Sequence, residues 1–304
     1  MAGAGIWYLT VPSFGSIIRR WYLFVPSYSG KHMTDLTVRR LLIDMEAPIE
    51  RNWCAGDAFR TAFFDALSMS FPVGEQFFID AVRGGFKALP PAQQERFKAE
   101  VQGFVGQEAT HRRLHSLYNA HLEKRGLVNA WEPRARGRLE QMQGVDLRHW
   151  LGITAANEHF TAILADWMLR NPELFGDRDL RLKTLWLWHS AEESEHKSTA
   201  FDLYKALGGN EQWRITWFRR ISTTFVIDTL RQTFDNLRRD GALHKWRTWT
   251  GAATFLFGKQ GLVRHTLAPW REYFRQDFHP GQQDGAASRR WLDENSHQYK
   301  AVGA

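Results

Sequence analysis

Residues 182–207 read LKTLWLWHSAEESEHKSTAFDLYKAL. Taken at spacings of three and four, they give Leu182, Leu185, His189, Glu193, His196, Ala200, Leu203 and Leu207, an apolar helical stripe that turns ionisable in its middle. Three further windows repeat the pattern. From Pro90-Pro91 to Lys124 the stripe is Phe97, Val101, Phe104, Glu108, His111, His115 and Tyr118. From Asp57 to Arg83 it is Phe64, Leu67, Phe71, Glu75, Phe78 and Val82, with a kink or restart expected at Pro72. From Asp146 to Arg170 it is Leu147, Leu151, Thr154, Glu158, Thr161, Ala165 and Met168. Four long amphipathic helices with connections of modest length predict an all-α chain built on a four-helix bundle.

A lone carboxylate on a core face costs several kcal/mol, and four near one another repel, so the pattern calls for compensating positive charge. Two divalent ions would supply it. A Glu and a His three residues apart on a helix share one face, and a Glu on a neighbouring helix can bridge to a second ion. The order is Glu75, Glu108-x-x-His111, Glu158, Glu193-x-x-His196, with near-equal separations of 33 and 35 residues between the Glu residues of its two halves. The alternative is surface pairs, or buried chains satisfied by Arg112, Arg113 or Lys197. His189 lies one turn before Glu193 and is either a seventh ligand, a residue behind the ligands or a core histidine. His115, one turn beyond His111, is expected mainly behind the ligands. Glu192 competes with Glu193 for the metal, but the three-residue spacing in the other half favours Glu193. His121, His149 and His159 fall off the inward stripes and read as surface or hydrogen-bonded residues.

With 304 residues, 43% hydrophobic and 24% charged, the chain is an ordinary globular one, which excludes disordered and fibrous classes. Its one cysteine, Cys54, cannot form an internal disulfide or a thiolate cluster, so any metal must be held by His, Asp and Glu. At the N-terminus the positive charge follows the apolar stretch, the reverse of a secretory signal. The longest apolar run, Thr248 to Gly258, is too short to span a bilayer. A cytoplasmic protein is expected, with peripheral contact at the inner membrane face as the alternative.

That alternative rests on charge. Of the net +7, residues 213–275 carry twelve Lys/Arg against four acids together with five Trp, so the rest of the chain is close to neutral. Basic residues interleaved with indoles suit a membrane interface, while no nucleic-acid-binding motif accompanies them. A solvated basic face is the plainer reading. The expected organisation is an N-terminal arm and leading helix (1–56), the di-metal bundle (57–209), a basic Trp-rich helical segment of two or three helices packed on it (210–278) and a polar tail (279–304).

The ligand order resembles that of the ferritin-like di-metal carboxylate proteins over about residues 57–208. More narrowly, FPVGEQFF (71–78), QEATHRRLH (107–115), ANEHF (156–160), HSAEESEHKSTAFD (189–202) and RQDFHPG (275–281) resemble a bacterial family described as predicted metal-dependent hydrolases. The run His189-x-x-x-Glu193-x-x-His196 is similar to that of the di-iron arylamine N-oxygenases, where an additional histidine joins the usual six ligands. These resemblances imply a ferritin-like bundle with added C-terminal helices and two iron ions, or manganese or a mixed pair. They imply an O2-dependent oxidoreductase, of monooxygenase or oxidase type, fed by an external electron donor. The substrate would be a small or lipid-like hydrophobic molecule in a cavity lined by Phe71, Phe78 and Phe104 and opened by Thr154, Ala155, Thr161 and Ala162. Hydrolysis through a metal-bound hydroxide is the alternative activity, and a non-catalytic iron-binding protein the second. A homodimer is compatible with either.

Overall fold

The computed structural model describes residues 36–302, so the expected arm over residues 1–35 lies outside the described residues. Among the described residues the chain is helical apart from one short two-stranded ribbon. Helix α1 spans Ala58–Ala88, opened by the Asp57 carboxylate, which accepts from the Arg60 amide. Helix α2 spans Pro91–Lys124, with proline at its first position, where no amide partner is needed. Helix α4 (Leu147–Arg170) is capped by Asp146, and α5 (Leu180–His196) by Asp179. A break just after His196 separates α5 from α6 (Thr199–Ala206), so the single helical stripe expected over residues 182–207 is carried by two helices. α1 lies along α2, and α4 lies along α5 and α6, which closes an all-α bundle.

Helix α1 runs through Pro72 without interruption, contrary to the restart expected there. Proline cannot donate to the carbonyl of Ser68, four residues back. Asn119 of α2 takes over that carbonyl, with Nδ2 at 3.0 Å. Side chains also serve the neighbouring carbonyls, Ser70 Oγ donating to Leu67 O and Asn129 Nδ2 to Met69 O. The helix therefore keeps its backbone satisfied, and Glu75 stays in register with Leu67 and Phe71.

Two segments differ from expectation. Residues 36–56 hold no leading helix but the strand β1 (Arg39–Leu41) and an extended run, because the segment is anchored by strand pairing and by close approach to α2. A Cβ on Gly103 would stand 2.4 Å from that of Leu36, and one on Gly106 would stand 2.3 Å from Val38 Cγ2, so α2 admits the segment only at glycine. Over its described residues, 279–302, the polar tail carries a helix and a strand. Helix α10 (Ala286–Glu294) lies on α5, where Ser288 donates to the Ala191 carbonyl, and β2 (Tyr299–Ala301) pairs antiparallel with β1 in the register Arg39↔Ala301. Chain ends far apart in sequence thereby form one ribbon over the bundle.

The basic segment forms three helices, α7 (Glu211–Arg239), α8 (Trp246–Phe257) and α9 (Leu262–Glu272), with α7 lying against α1 and α4. The short α3 (Trp131–Glu140), which the periodicity does not reveal, is tied to α7 through Arg134 and Arg138 on the buried carboxylate of Asp228. Five of the fourteen tryptophans, Trp53, Trp131, Trp167, Trp186 and Trp188, are buried. Two apolar cores result, one around Trp53, Phe64 and Trp186, the other around Phe104, Leu151 and Phe218.

Asn119→Ala should cost about 1–3 kcal/mol in denaturant unfolding, the penalty of an orphaned buried acceptor. The cost should shrink in a Pro72→Ala background, where residue 72 recovers its own amide donor; equal costs in both backgrounds would refute this account of the uninterrupted helix.

Candidate metal centre

Between the two cores, four helices bring together Glu75 (α1), Glu108 and His111 (α2), Glu158 (α4), and His189, Glu193 and His196 (α5). All seven are buried, none more than 6% exposed. His196 Nε2 lies 3.1 Å from Glu108 Oε1, 3.3 Å from Glu158 Oε2 and 3.5 Å from Glu193 Oε1. Glu193 Oε1 is also 2.9 Å from His189 Nε2 and 3.7 Å from His111 Nδ1, and His189 Nε2 is 3.8 Å from Glu75 Oε1. Donor atoms within 4.8 Å of one another form three groups: Glu75 with His111 and His189, Glu108 with Glu158 and His196, and Glu108 with His111 and Glu193. The first two share no residue, so they could hold two separate cations, with Glu193 close to both groups.

Most of these atoms are without hydrogen bonds. Both oxygens of Glu75, Glu108 and Glu158, together with His111 Nδ1 and His196 Nε2, are buried and have no hydrogen-bond partner. Buried polar atoms normally find partners, so a concentration of orphans at one place is the pattern left where coordination bonds would go. The donor set, oxygen and imidazole nitrogen without thiolate, suits iron, manganese or zinc.

Each imidazole is held from behind. Gln107 donates through Nε2 to Thr37 O at 3.0 Å and to Glu195 at 2.9 Å, which leaves its Oε1 to accept from His196 Nδ1 at 2.9 Å. His196 Nε2 is thereby turned to the centre. A second chain runs through the opposite core. Ser68 Oγ donates to Asn119 Oδ1 at 2.7 Å and so accepts from His115 Nδ1 at 2.9 Å. His115 Nε2 must then accept from His189 Nδ1 at 2.8 Å, which turns His189 Nε2 to the centre, 2.9 Å from Glu193 Oε1. The third imidazole, His111, has Nε2 against Glu192 Oε2 at 2.9 Å, and Glu192 in turn accepts from Arg39 at 3.0 Å. Arg39 also holds Glu195, at 2.6 Å. Glu192, the competitor of Glu193 in the sequence, thus faces Arg39 and His111, while Thr161 Oγ1 donates to Glu193 Oε2 at 2.5 Å.

Electrostatics follow from this burial. Burial, then the neighbouring Glu108 and Glu193, push the Glu75 carboxyl well above its ordinary range. Burial likewise raises Glu158. Burial opposes a charge on His196, but Glu158 and Glu193 outweigh it and hold its proton well above the usual imidazole range. Burial and the neighbouring His189 keep His111 and His115 neutral. Burial pushes Glu192 up to about 8 against the pull of Arg39.

Several residues differ from or were missed by the sequence reading. Phe71 and Phe104 rest on the rings of His189 at 4.8 Å and His196 at 4.9 Å. A cavity of about 470 Å³ lies beside Pro72, Val73, Gln76, Phe77, Arg112 and Trp150. Gln107 could have been suspected, since it shares a turn with Glu108 and His111. Arg39, Ser68 and Asn119 carried no local signal. His121, His149 and His159 are hydrogen-bonded to Met45 O, Trp217 and Pro269 O respectively, away from the centre.

Gln107→Leu, which removes the acceptor behind His196, should weaken metal retention about 10–100-fold in chelator competition; unchanged retention would deny Gln107 that role.

No curated protein and no solved structure gives a match to the chain. A family model does, over residues 37–284, a span that contains every residue of the buried cluster together with Arg39 and Gln107. On that match the chain belongs to the family described as predicted metal-dependent hydrolase.

Proposed function

We propose that the chain is an enzyme whose buried centre holds two divalent metal ions, one among Glu75, His111 and His189, the other among Glu108, Glu158 and His196, with Glu193 between them. The observation that carries this reading is the set of buried donor atoms without partners. Hydrolysis is the reaction favoured by family membership. Ions bound there would lower the pKa of a water molecule and polarise the group to be split.

The chain's own residues prepare the site. Gln107, His115 and Glu192 fix the three ring orientations, so little reorganisation accompanies reaction. The Phe71 and Phe104 rings cover the imidazoles and keep bulk water from two sides of the centre. The 470 Å³ cavity flanks Glu75 along α1 and His111 along α2, and its apolar wall includes the Phe77 and Trp150 rings stacked at 5.1 Å. Such a wall suits a small substrate with an apolar body.

The second reading is O2-dependent oxidation of a hydrophobic substrate at two irons, supplied by an external electron donor. It is favoured by the ligand order, four Glu and two Glu-x-x-His pairs distributed over four helices, which is that of the ferritin-like carboxylate proteins. It is also favoured by the depth of the centre.

Metal analysis should give close to two ions per chain, falling in Glu75→Ala and Glu158→Ala; fewer than one in the wild-type protein after loading would end the proposal. Turnover of activated esters by the zinc or manganese form without O2 would select hydrolysis. Transient visible absorption after anaerobic Fe(II) loading and O2 exposure would select oxidation. Because Glu75, Glu158 and His196 hold protons in the metal-free protein, a metal ion must displace them. Affinity should therefore rise with pH through their raised pKa values, and calorimetry in buffers of different ionisation enthalpy should register proton release; buffer-independent heats would contradict this.

A further inference from the structure

Nine of the fifteen large hydrophobic side chains exposed among the described residues fall between residues 226 and 267: Val226, Ile227, Leu230, Phe234, Trp246, Trp249, Phe257, Val263 and Leu267. Their placement is periodic. On α7, Ile227, Leu230 and Phe234 follow one another at three and four residues; on α8, Trp246, Trp249 and Phe257 lie along the outward side; on α9, Val263 and Leu267 are one turn apart. The stripes are joined, since the rings of Phe234 and Trp249 meet at 5.4 Å and α8 lies against α9. Helix α9 is amphipathic in sequence yet buries none of its residues. Trp246 and Phe257 are 69% and 68% exposed. A connected apolar surface of this kind marks an interaction site.

Charge identifies the occupant. Arg231, Lys245, Lys259 and Arg264 are exposed around the apolar stripes and have no ion-pair partner among the described residues. The segment's acids are mostly engaged elsewhere: Asp228 with Arg134 and Arg138, Asp235 with Arg238 and Arg239, Asp240 with Arg51 and Arg125. The surface is thus greasy at its centre and cationic at its rim, with indole at the boundary. That combination fits a bilayer bearing anionic headgroups, where tryptophan sits at headgroup level and each basic residue adds attraction. No helix among the described residues is long and apolar enough to cross a membrane, so the contact lies in the interface plane.

We propose that the outward faces of α7, α8 and α9 form a peripheral docking surface for an anionic phospholipid bilayer. The inference is independent of which reaction the buried centre performs.

The test uses the full chain and sedimentation with vesicles of phosphatidylcholine, with and without phosphatidylglycerol. Binding is expected with phosphatidylglycerol, weakening in high salt. Trp246→Ser/Phe257→Ser and Arg231→Glu/Arg264→Glu should each lower it by at least about tenfold, with helical circular dichroism and metal content unchanged because these side chains are exposed. A chain that stays in the supernatant at low salt overturns the proposal, as does equal binding by wild type and both variants. A concentration-dependent dimer abolished by the same substitutions, without lipid binding, would assign the surface to a second copy and also overturn it.

Discussion

Four buried carboxylates placed within 4 Å of imidazole nitrogens, inside a largely apolar bundle, set the terms for the rest of this protein. Taking one carboxylate out of water costs several kcal/mol, and a cluster adds repulsion on top. The raised proton affinities of Glu75, Glu158 and His196 are one answer to that cost. That remedy leaves oxygen atoms buried and unpartnered, which divalent cations would relieve.

The surrounding structure serves to hold those donors at fixed positions. Two aromatic cores grip the bundle on either side of the centre, and their rings at Phe71 and Phe104 rest directly on the imidazoles. The proline in α1, a hazard one turn before Glu75, is made harmless by Asn119. Asn119 also ends the chain that runs through Ser68 and His115 to His189, so one side chain supports both the backbone of α1 and the orientation of an imidazole. The ribbon of β1 and β2 acts similarly from the other side. It fixes Arg39, whose guanidinium neutralises Glu192 and Glu195 and, through Glu192, steadies His111. The last residues of the chain thereby bear on the centre without touching it.

The division of charge also acquires a structural form. Glu75, Glu108, Glu158 and Glu193 are turned inward in the bundle, and the excess of arginine and lysine lies on the helices that follow it. Not all of that excess is surface: Arg214 is buried, donating to the carbonyls of Tyr273 and Arg275, and ties α7 to the turn after α9. What remains outside surrounds apolar side chains that the core does not use.

The helical periodicity, the four inward glutamates and the two Glu-x-x-His pairs are local patterns, and the sequence alone determined the all-α class, the helices that carry the cluster and which faces turn inward. Helix geometry makes residues three and four apart neighbours whatever surrounds them. The choice of Glu193 over Glu192 for the inner position was legible for the same reason. Only the tertiary structure decided what stands behind each imidazole. Arg39 reaches Glu192 across 153 residues of sequence, His115 meets His189 across 74, and Asn119 meets Ser68 across 51. It likewise decided that the polar tail would close a ribbon with the N-terminal segment and that no residue of α9 would be fully buried. Contacts of that kind depend on where separate helices come to lie against one another, and no spacing along a single helix encodes them.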